Sequence, residues 1–409
     1  MKIRILSLAV MLSLRYSQRA SAVYLLSVLF FVGCTAHDKR SGNENVTAIR
    51  IDWSNVRETF DYAPMVEDSV LVIPLETRDD CLIGEVSKVI CRNGRIYVGD
   101  AMRQAVYVFD MSGKLVTRIC SFGNGPEEYL SVTSFTVHGS GIIIYDSFTR
   151  KLFFFDSAGI LQKTEDVPDI WGMDMFCIKN KLYLVNDGSS SQRGFYHLFS
   201  VNLDKAEEHE AFLPFKDPGN SGWGTESVIA PLKDEALIYT CPFDTLYMVK
   251  DGAAYPAYFV DFGRKRLPRQ YIGEEGRIAL KAAFDGNYVR GCENVVQSEK
   301  YIFLRFGDSN EDYTGIYNKE TGNLEVAKTA VNSLLGDLPL QKNKFHIEDE
   351  CLIQYYAISF WNLAFEMEGE AGLDRHRFYS AALRQRIDGF RRMDGAESNP
   401  VILIQKLKQ

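Results

Sequence analysis

The sequence predicts an all-β protein folded as a six-bladed β-propeller, and three observations support this fold class. Short alternating apolar runs recur along the chain, separated by turns rich in Gly, Asp and Ser, which is typical of antiparallel strands. The copy that begins at Arg95 has Asp100 where the next copy, from Gly141, has Asp146, a period of about 46 residues that indicates propeller blades. Aromatic residues make up 12% of the chain and favour strands over helix bundles.

One apolar strand recurs six times, and we interpret it as the innermost strand of each blade. The mean spacing of about 51 residues leaves room for insertions in the loops. In the first two copies the next strand ends in a hairpin turn at Asp110 and Asp156, where Asp, Ser and Gly supply local hydrogen bonds and positive φ. The six copies are Ile96 to Val98, Ile142 to Tyr145, Leu182 to Val185, Ala236 to Tyr239, Tyr301 to Phe306 and Leu352 to Tyr355.

The two ends of the chain are predicted to close the ring. Ser69 to Leu75 and the terminal strand Val401 to Lys406 both lack a partner among the repeats. A radial ring of sheets leaves no long edge with unpaired backbone groups. We therefore expect these two strands to complete one shared blade. Residues 374–393 space their apolar side chains as an amphipathic helix would and predict a small helical insertion in the last blade. A membrane- or partner-binding helix is the alternative.

The N-terminus has the pattern of an export signal. An apolar run from Ala22 to Val32, preceded by Arg residues, is too short to span a bilayer and has the length of a signal-peptide core. The Gly immediately before Cys34 resembles the lipobox of bacterial lipoproteins, which implies acylation of the Cys34 thiol. An ordinary cleavable signal is the alternative, and translation can begin at Met1 or at Met11.

This pattern divides the chain into three parts. We predict a lipoprotein signal peptide at 1–33, a polar tether at 34–45 and a single propeller domain at 46–409. The expected location is the cell envelope, with the lipid anchor in the outer membrane. The sequence is compatible with either the periplasmic or the surface face of that membrane. The net charge of −8 and the absence of a basic stripe argue against a nucleic-acid partner.

The cysteines predict neither zinc binding nor redox chemistry. Eight are present, and once Cys34 is lipidated an odd number remains, without CxxC spacing. We expect buried thiols, since Cys beside apolar strands usually behaves as a small core residue. Cys81 and Cys91 flank one hairpin, and a disulfide between them stays open at this stage.

Two features are candidates for ligand contact. The loop Gly123 to Tyr129 contains two Gly and adjacent carboxylates but lacks the Lys and helix of a phosphate-binding loop. We expect an inter-blade turn there, with ligand contact through Glu128 as the alternative. Trp223 lies in a Gly/Ser-rich loop and is the best candidate for stacking on a sugar, whereas Trp53, Trp171 and Trp361 are more typical of blade packing.

A metal site is an alternative role for three acidic residues that recur in the repeats. Asp100, Asp146 and Asp187 end similar strands, so their carboxylates could converge on the axis and hold Ca²⁺ or Zn²⁺. Repeated Asp residues more often cap turns, so we expect that role for them and predict no metal and no cofactor. The six His residues form no HExxH pair and no G-x-S-x-G turn accompanies them, so the sequence gives no catalytic triad.

Four motifs give the chain a family resemblance. It resembles the six-bladed β-propeller lipoproteins of Bacteroidota, distant relatives of the NHL-repeat propellers, with Glu127 at a position where that family has Gly. The resemblance implies a propeller fold and an envelope location. The motifs are Leu82-Ile83-Gly84, Gly123 to Tyr129, Asp261-Phe262-Gly263 with Pro268, and Asn399-Pro400.

These observations favour a lipid-anchored binding module without catalytic activity. Its expected partners are the membrane, through Cys34, and a glycan, a peptide or an envelope protein at one mouth of the channel. One alternative is a metal-dependent hydrolase or lyase of the NHL- or lactonase-like type, which would need acidic, Asn or His side chains to meet at the axis. Another is a scaffold in an envelope complex, which an exposed apolar patch would favour.

Overall fold

The computed structural model describes residues 46–186, 195–215, 228–239, 244–271, 276–341, 344–357 and 398–408. The chain divides into one unit of residues 1–46 and a second of residues 47–409. The predicted helix at 374–393, Asp187, Trp223, Trp361 and Cys34 lie outside the described residues.

The described strands form six sheets arranged as the blades of a β-propeller, which confirms the predicted fold class. Three strands precede the first blade: β1 (Thr47–Arg50), β2 (Arg57–Asp61) and β3 (Val66–Pro74). Blade 1 contains β4 (Val86–Arg92), β5 (Arg95–Asp100), β6 (Ala105–Asp110) and β7 (Leu115–Ile119). Blade 2 contains β8 (Ser134–His138), β9 (Gly141–Asp146), β10 (Lys151–Phe155) and β11 (Leu161–Asp166). Blade 3 contains β12 (Asp174–Ile178), β13 (Lys181–Val185), β14 (Tyr196–Asn202) and β15 (Lys205–Pro214).

In the remaining blades the outer edge is occupied by a strand from the N-terminal segment. Blade 4 contains β16 (Val228–Leu232), β17 (Glu235–Tyr239), β18 (Thr245–Lys250) and β19 (Ala253–Asp261), and β1 pairs with β19 in parallel. Blade 5 contains β20 (Cys292–Gln297), β21 (Tyr301–Gly307), β22 (Asp312–Asn318) and β23 (Leu324–Asn332), with β2 parallel to β23 and the short β24 (Leu338–Pro339) beside it. Blade 6 contains β25 (Phe345–Glu348), β26 (Cys351–Tyr356), β27 (Val401–Leu407) and β3.

The strand that the sequence marked as innermost is the second strand of each blade. The axis is surrounded by the first strands, β4, β8, β12, β16, β20 and β25, each in contact with the next around a closed ring. The second strands are almost wholly buried, as in β5 and β9, because sheet neighbours and adjacent blades cover them. Their continuous apolar runs are therefore the clearest pattern in the sequence. The first strands border a polar channel, so polar residues interrupt their apolar pattern and make it harder to recognise.

The predicted closure is confirmed in blade 6. The C-terminal β27 lies between β26 and β3, and its antiparallel register pairs Ile402 with Ile73 and Leu403 with Val72. The N-terminal segment thus supplies outer strands to three successive blades, with β1 on blade 4, β2 on blade 5 and β3 on blade 6. These strands cover edges that would otherwise expose unpaired backbone groups.

The predicted hairpin turns take the expected form. Asp110 Oδ1 accepts hydrogen bonds from the amides of Ser112 at 2.8 Å and Lys114 at 3.1 Å, and Gly113 has a φ of +85°. Gly159 occupies the equivalent position in blade 2 with a φ of +81°. A side chain at these two positions would strain the backbone, which explains why Gly recurs there.

One α-helix, α1 (Gly276–Asp285), lies between blades 4 and 5 and was not predicted. Its buried residues Ala279 and Ala283 join a core that includes Phe262 and Val289. Three short 3₁₀ helices complete the described structure: Ala63–Met65, Gly263–Lys265 and Arg269–Tyr271. Within the described ranges, every helix is too short or too polar to cross a bilayer.

Candidate functional site

A cavity of about 190 Å³ lies on the propeller axis and is lined by residues from all six inner strands. We call it the axial channel. Its upper end is the end at which the inner strands begin, and its lower end is where they finish. Because every blade contributes its first strand, the channel collects side chains that lie far apart in the sequence.

A hydrogen-bonded ion pair occupies the upper part of the channel. Lys88 Nζ lies 2.8 Å from Asp174 Oδ1 and donates to the carbonyl of Met175, also at 2.8 Å. Ser134 Oγ donates to the same Asp174 oxygen at 2.6 Å. These contacts join the inner strands of blades 1, 2 and 3, and they satisfy both charges where the strands begin.

A second ion pair lies in the lower part. Arg92 Nη2 is 2.6 Å from Glu348 Oε1, and Arg92 Nη1 donates to the Val137 carbonyl at 3.0 Å. Glu348 Oε2 accepts from the Cys91 amide at 3.0 Å. Burial raises the pKa of the Glu348 carboxyl, and the neighbouring Arg92 opposes that effect. This pair joins blades 1, 2 and 6.

His346 brings to the channel an imidazole whose Nε2 has no hydrogen-bond partner among the described residues. It lies on β25 among the residues that line the cavity, and the unpartnered Nε2 atom is buried. Burial, with a smaller contribution from the charge of Lys88, lowers the pKa of His346 to about 4. The ring is therefore neutral at pH 7 and can offer one donor and one acceptor.

The structure gives Asp100 and Asp146 the role of turn caps. Asp100 accepts hydrogen bonds from the amides of Gly84 at 2.8 Å and Met102 at 3.0 Å. Asp146 accepts equivalent bonds from Leu130 at 2.8 Å and from the turn that follows it. Each carboxylate joins an inter-blade connection to the turn within its own blade. Among the described residues, no three acidic, His or Cys side chains come together as metal ligands.

Glu128 lies in an inter-blade turn and does not line the channel. Its Oε2 accepts from the Gly125 amide at 2.8 Å, and a Cβ at Gly123 would come within 1.9 Å of that oxygen. The adjacent Tyr129 is buried and its hydroxyl donates to the Gln104 carbonyl at 3.0 Å. The first Gly leaves room for the Glu128 carboxylate in this position, and a larger residue there would displace that carboxylate.

Trp53 and Trp171 pack against protein groups. The Trp53 indole donates to the Phe262 carbonyl at 2.8 Å, and Lys265 Nζ lies 4.3 Å from its ring centre. Arg150 lies over the Trp171 ring at 5.8 Å. Cys81 and Cys91 are both free thiols, so the pairing that the sequence left open is not present.

Large apolar side chains are exposed at the upper end over blades 1 to 3. The clearest is Phe148, in the β9–β10 turn, whose exposed fraction is 75%. Met102, Phe122 and Met173 lie in neighbouring connections at the same end and are exposed as well. Isolated exposed apolar residues are ordinary, but several at one end favour a contact surface.

Sequence reasoning missed the residues that line the channel. The available signal was weak: Lys88 and Arg92 interrupt a strand-like run, VSKVICR, in which a core strand would have apolar residues. His346 and Glu348 show the same pattern in FHIE. Charged residues within an apolar strand can indicate an interior polar channel. Which blade each charged side chain contacts depends on how the six blades are arranged around the axis.

The fold and the channel define a six-bladed β-propeller with a small polar cavity on its axis. The chain belongs to a family described as a domain of unknown function, DUF4934, whose model matches residues 57–406. The search of curated proteins finds no match.

Two solved structures are similar. One is a presumed exported protein from Bacteroides fragilis NCTC 9343, 17% identical, with a TM-score of 0.66 over 89% of this chain and 100% of that one. The other is a member of the DUF4221 family from Bacteroides vulgatus ATCC 8482, 12% identical, with a TM-score of 0.46 over 84% of this chain and 97% of that one. The first shares the fold of this chain.

Proposed function

We propose that the protein is an exported, lipid-anchored binding module that takes a small, neutral, polar molecule into its axial channel. The observation that carries this proposal is the buried, unpaired Nε2 of His346 beside a cavity of about 190 Å³. A buried polar atom without a partner is costly, and a ligand hydroxyl or amide would supply the missing hydrogen bond.

The charges of the channel restrict the class of ligand. Lys88 pairs with Asp174 and Arg92 with Glu348, so a charged ligand would have to compete with an existing ion pair. A neutral molecule needs no counter-charge. The cavity is smaller than a typical drug-sized pocket of roughly 300–1,000 Å³. Monosaccharides, small polyols and amides have the appropriate size and hydrogen-bonding groups.

Thermal melting against a panel of monosaccharides, polyols and small amides tests the proposal. A ligand at about 100 times its Kd stabilises the folded state by about 2.7 kcal/mol. We expect at least one compound to raise the melting temperature of the wild-type protein and to lose that effect in His346→Phe. The matched control is His138→Phe at the lower end of β8, which should respond as the wild type does. Equal shifts in the His346 variant, or no shift with any compound, would argue against ligand binding in the channel.

The membrane anchor is a separate part of the proposal. It rests on the apolar run that ends beside Cys34 and on the polar stretch that follows. The description of the Bacteroides fragilis relative as exported agrees with it. An acylated Cys34 would hold the propeller near a membrane surface, with the outer membrane as the expected site.

The exposed apolar residues favour a second candidate, a scaffold that binds an envelope protein at the upper end. A photo-reactive amino acid at position 148 should then crosslink to a discrete partner in intact cells. The same amino acid at Ala158, in an exposed turn at the lower end, is the control. The scaffold hypothesis fails if both positions give the same pattern of products.

A further inference from the structure

A long part of the chain leaves blade 6 at the upper end of the propeller. β26 is antiparallel to the inner strand β25, so it finishes at the upper end, and β27 begins at the same end. The stretch between these two strands includes residues 358–397, which lie outside the described residues. Both ends of this stretch are therefore fixed at the upper end of blade 6, between blades 5 and 1.

The second end of this stretch is bound to the connection that leads into blade 1. The Asn399 amide donates to Thr77 Oγ1 at 3.0 Å, and Asn399 Oδ1 accepts from the Ile83 amide at 2.8 Å. Asn399 Nδ2 also donates to the Cys81 carbonyl at 2.8 Å. An extended chain covers at most about 3.6 Å per residue, so the residues just before Asn399 are held close to the upper loops of blade 1.

The upper loops of blades 1 and 2 are joined into one surface, which we call the upper face. The Tyr129 hydroxyl donates to the Gln104 carbonyl at 3.0 Å and links the β5–β6 turn to the connection between the two blades. The Leu130 amide donates to Asp146 Oδ2 at 2.8 Å and links that connection to the β9–β10 turn. The upper face consists of residues 101–104, 120–133 and 147–150.

Each of the three loops of the upper face exposes one large apolar side chain. The exposed fractions are 70% for Met102, 58% for Phe122 and 75% for Phe148. Exposed apolar side chains grouped on one surface favour contact with another apolar surface, because burial removes them from water. The upper face is therefore suited to an occupant with an apolar stripe.

The charges on the two sides of blade 6 differ in sign. On the side of blade 1, the connections expose the acidic residues Asp79, Glu85 and Glu127. On the side of blade 5, the connection that precedes β20 exposes Arg264 and Arg269. A cationic occupant is attracted to the first side and repelled by the second.

The sequence of residues 374–393 has the complementary pattern. Six Arg and two Asp residues give this segment a net positive charge. Its large apolar residues recur at i, i+4, i+8 and i+11, the spacing that places side chains on one stripe of an amphipathic helix. These residues are Tyr379, Leu383, Ile387 and Phe390.

We propose that residues 374–393 form an amphipathic helix that docks on the upper face, with its apolar stripe on Met102, Phe122 and Phe148. The acidic connections beside blade 1 attract its Arg residues, and the attachment of Asn399 brings it to this side of blade 6. The occupant is then part of the same chain, whereas the scaffold hypothesis gives this surface to a second protein. The inference does not depend on the ligand of the axial channel.

Photo-crosslinking of the purified full-length protein tests the proposal. Phe390→p-benzoylphenylalanine places a photo-reactive group on the apolar stripe, and mass spectrometry maps the products after irradiation. The matched control is Arg392→p-benzoylphenylalanine, on the opposite side of the predicted helix. We expect cross-links from position 390 to the upper face and several-fold fewer from position 392. Equal yields from the two positions, or no cross-link to the upper face, would overturn the proposal.

Two further measurements identify the occupant and its contact. In a mixture of isotopically labelled and unlabelled protein, products within one chain are expected; products that join the two kinds of chain would assign the surface to a second copy and overturn the proposal. Phe148→Ser should lower the yield from position 390 several-fold. Ile160→Ser, at an exposed apolar residue of the lower end, should leave it unchanged. An unchanged yield in Phe148→Ser would contradict docking on this face.

Discussion

Asn399 links the last blade to the first, and replacing it with Ala should weaken the closure of the ring. Its exposed fraction is 1%. Oδ1 accepts from the Ile83 amide at 2.8 Å, and Nδ2 donates to the carbonyls of Glu76 at 2.7 Å and Cys81 at 2.8 Å. These partners belong to the connection between β3 and β4, so one amide holds the segment that joins blade 6 to blade 1.

The magnitude follows from the three hydrogen bonds. Each net hydrogen bond contributes about 1 kcal/mol, and a buried group left unsatisfied costs roughly 1–3 kcal/mol. Asn399→Ala should therefore lower the free energy of unfolding by about 3 kcal/mol, a large part of the roughly 5–15 kcal/mol typical of a domain.

Urea unfolding followed by far-UV circular dichroism measures this change. We expect the midpoint to fall while the m-value stays constant, which identifies a change in stability. Asn310→Ala is the matched control, since Asn310 is exposed and should change stability by less than about 0.5 kcal/mol. A loss below about 1 kcal/mol at Asn399 would refute the idea that this amide secures the closure.

Three further predictions concern the C-terminus, pH and the anchor. Deleting residues 400–409 removes β27 and should abolish cooperative unfolding, because β3 and β26 lose their common neighbour; a truncated protein that melts like the wild type would contradict the closure. Burial lowers the pKa of His346 in the folded protein to about 4, below the ordinary value of about 6.5, so between these pH values the unfolded chain binds a proton that the native state does not. Stability should then fall as the pH drops from 6.5 to 4, by on the order of 3 kcal/mol, and His346→Phe should have a flatter profile of melting temperature against pH; an identical profile would exclude this residue as the cause. Cys34→Ala should lose its lipid mass and move from the membrane to the soluble fraction, and unchanged fractionation would argue against acylation at Cys34.

The repeat pattern was strong enough to predict the fold, because the second strand of each blade is buried by its neighbours. β5 and β9 contain the apolar runs of the first two predicted copies and extend one or two residues beyond them at each end. Hairpin turns such as the one at Asp110 were equally clear, since tight turns depend on residues close in sequence. The outer pairing of β1 and β2 was missed because parallel partners about 210 and 270 residues away leave no local signal.

The candidate site was much less predictable. The sequence pointed to Asp100 and Asp146, whose repetition comes from a structural role in holding inter-blade connections. The residues that line the channel do not repeat, because each blade contributes a different side chain to the axis. Lys88 pairs with Asp174 across two blades, and Arg92 pairs with Glu348 near the other end of the chain.

The sequence by itself determined the all-β class, the number of blades and the closure by the two chain ends, because alternation and turn chemistry are local and recur from blade to blade. Only the tertiary structure decided which strand faces the axis and which charges pair there. Those properties depend on the arrangement of six sheets around one axis, which joins residues that no local pattern connects.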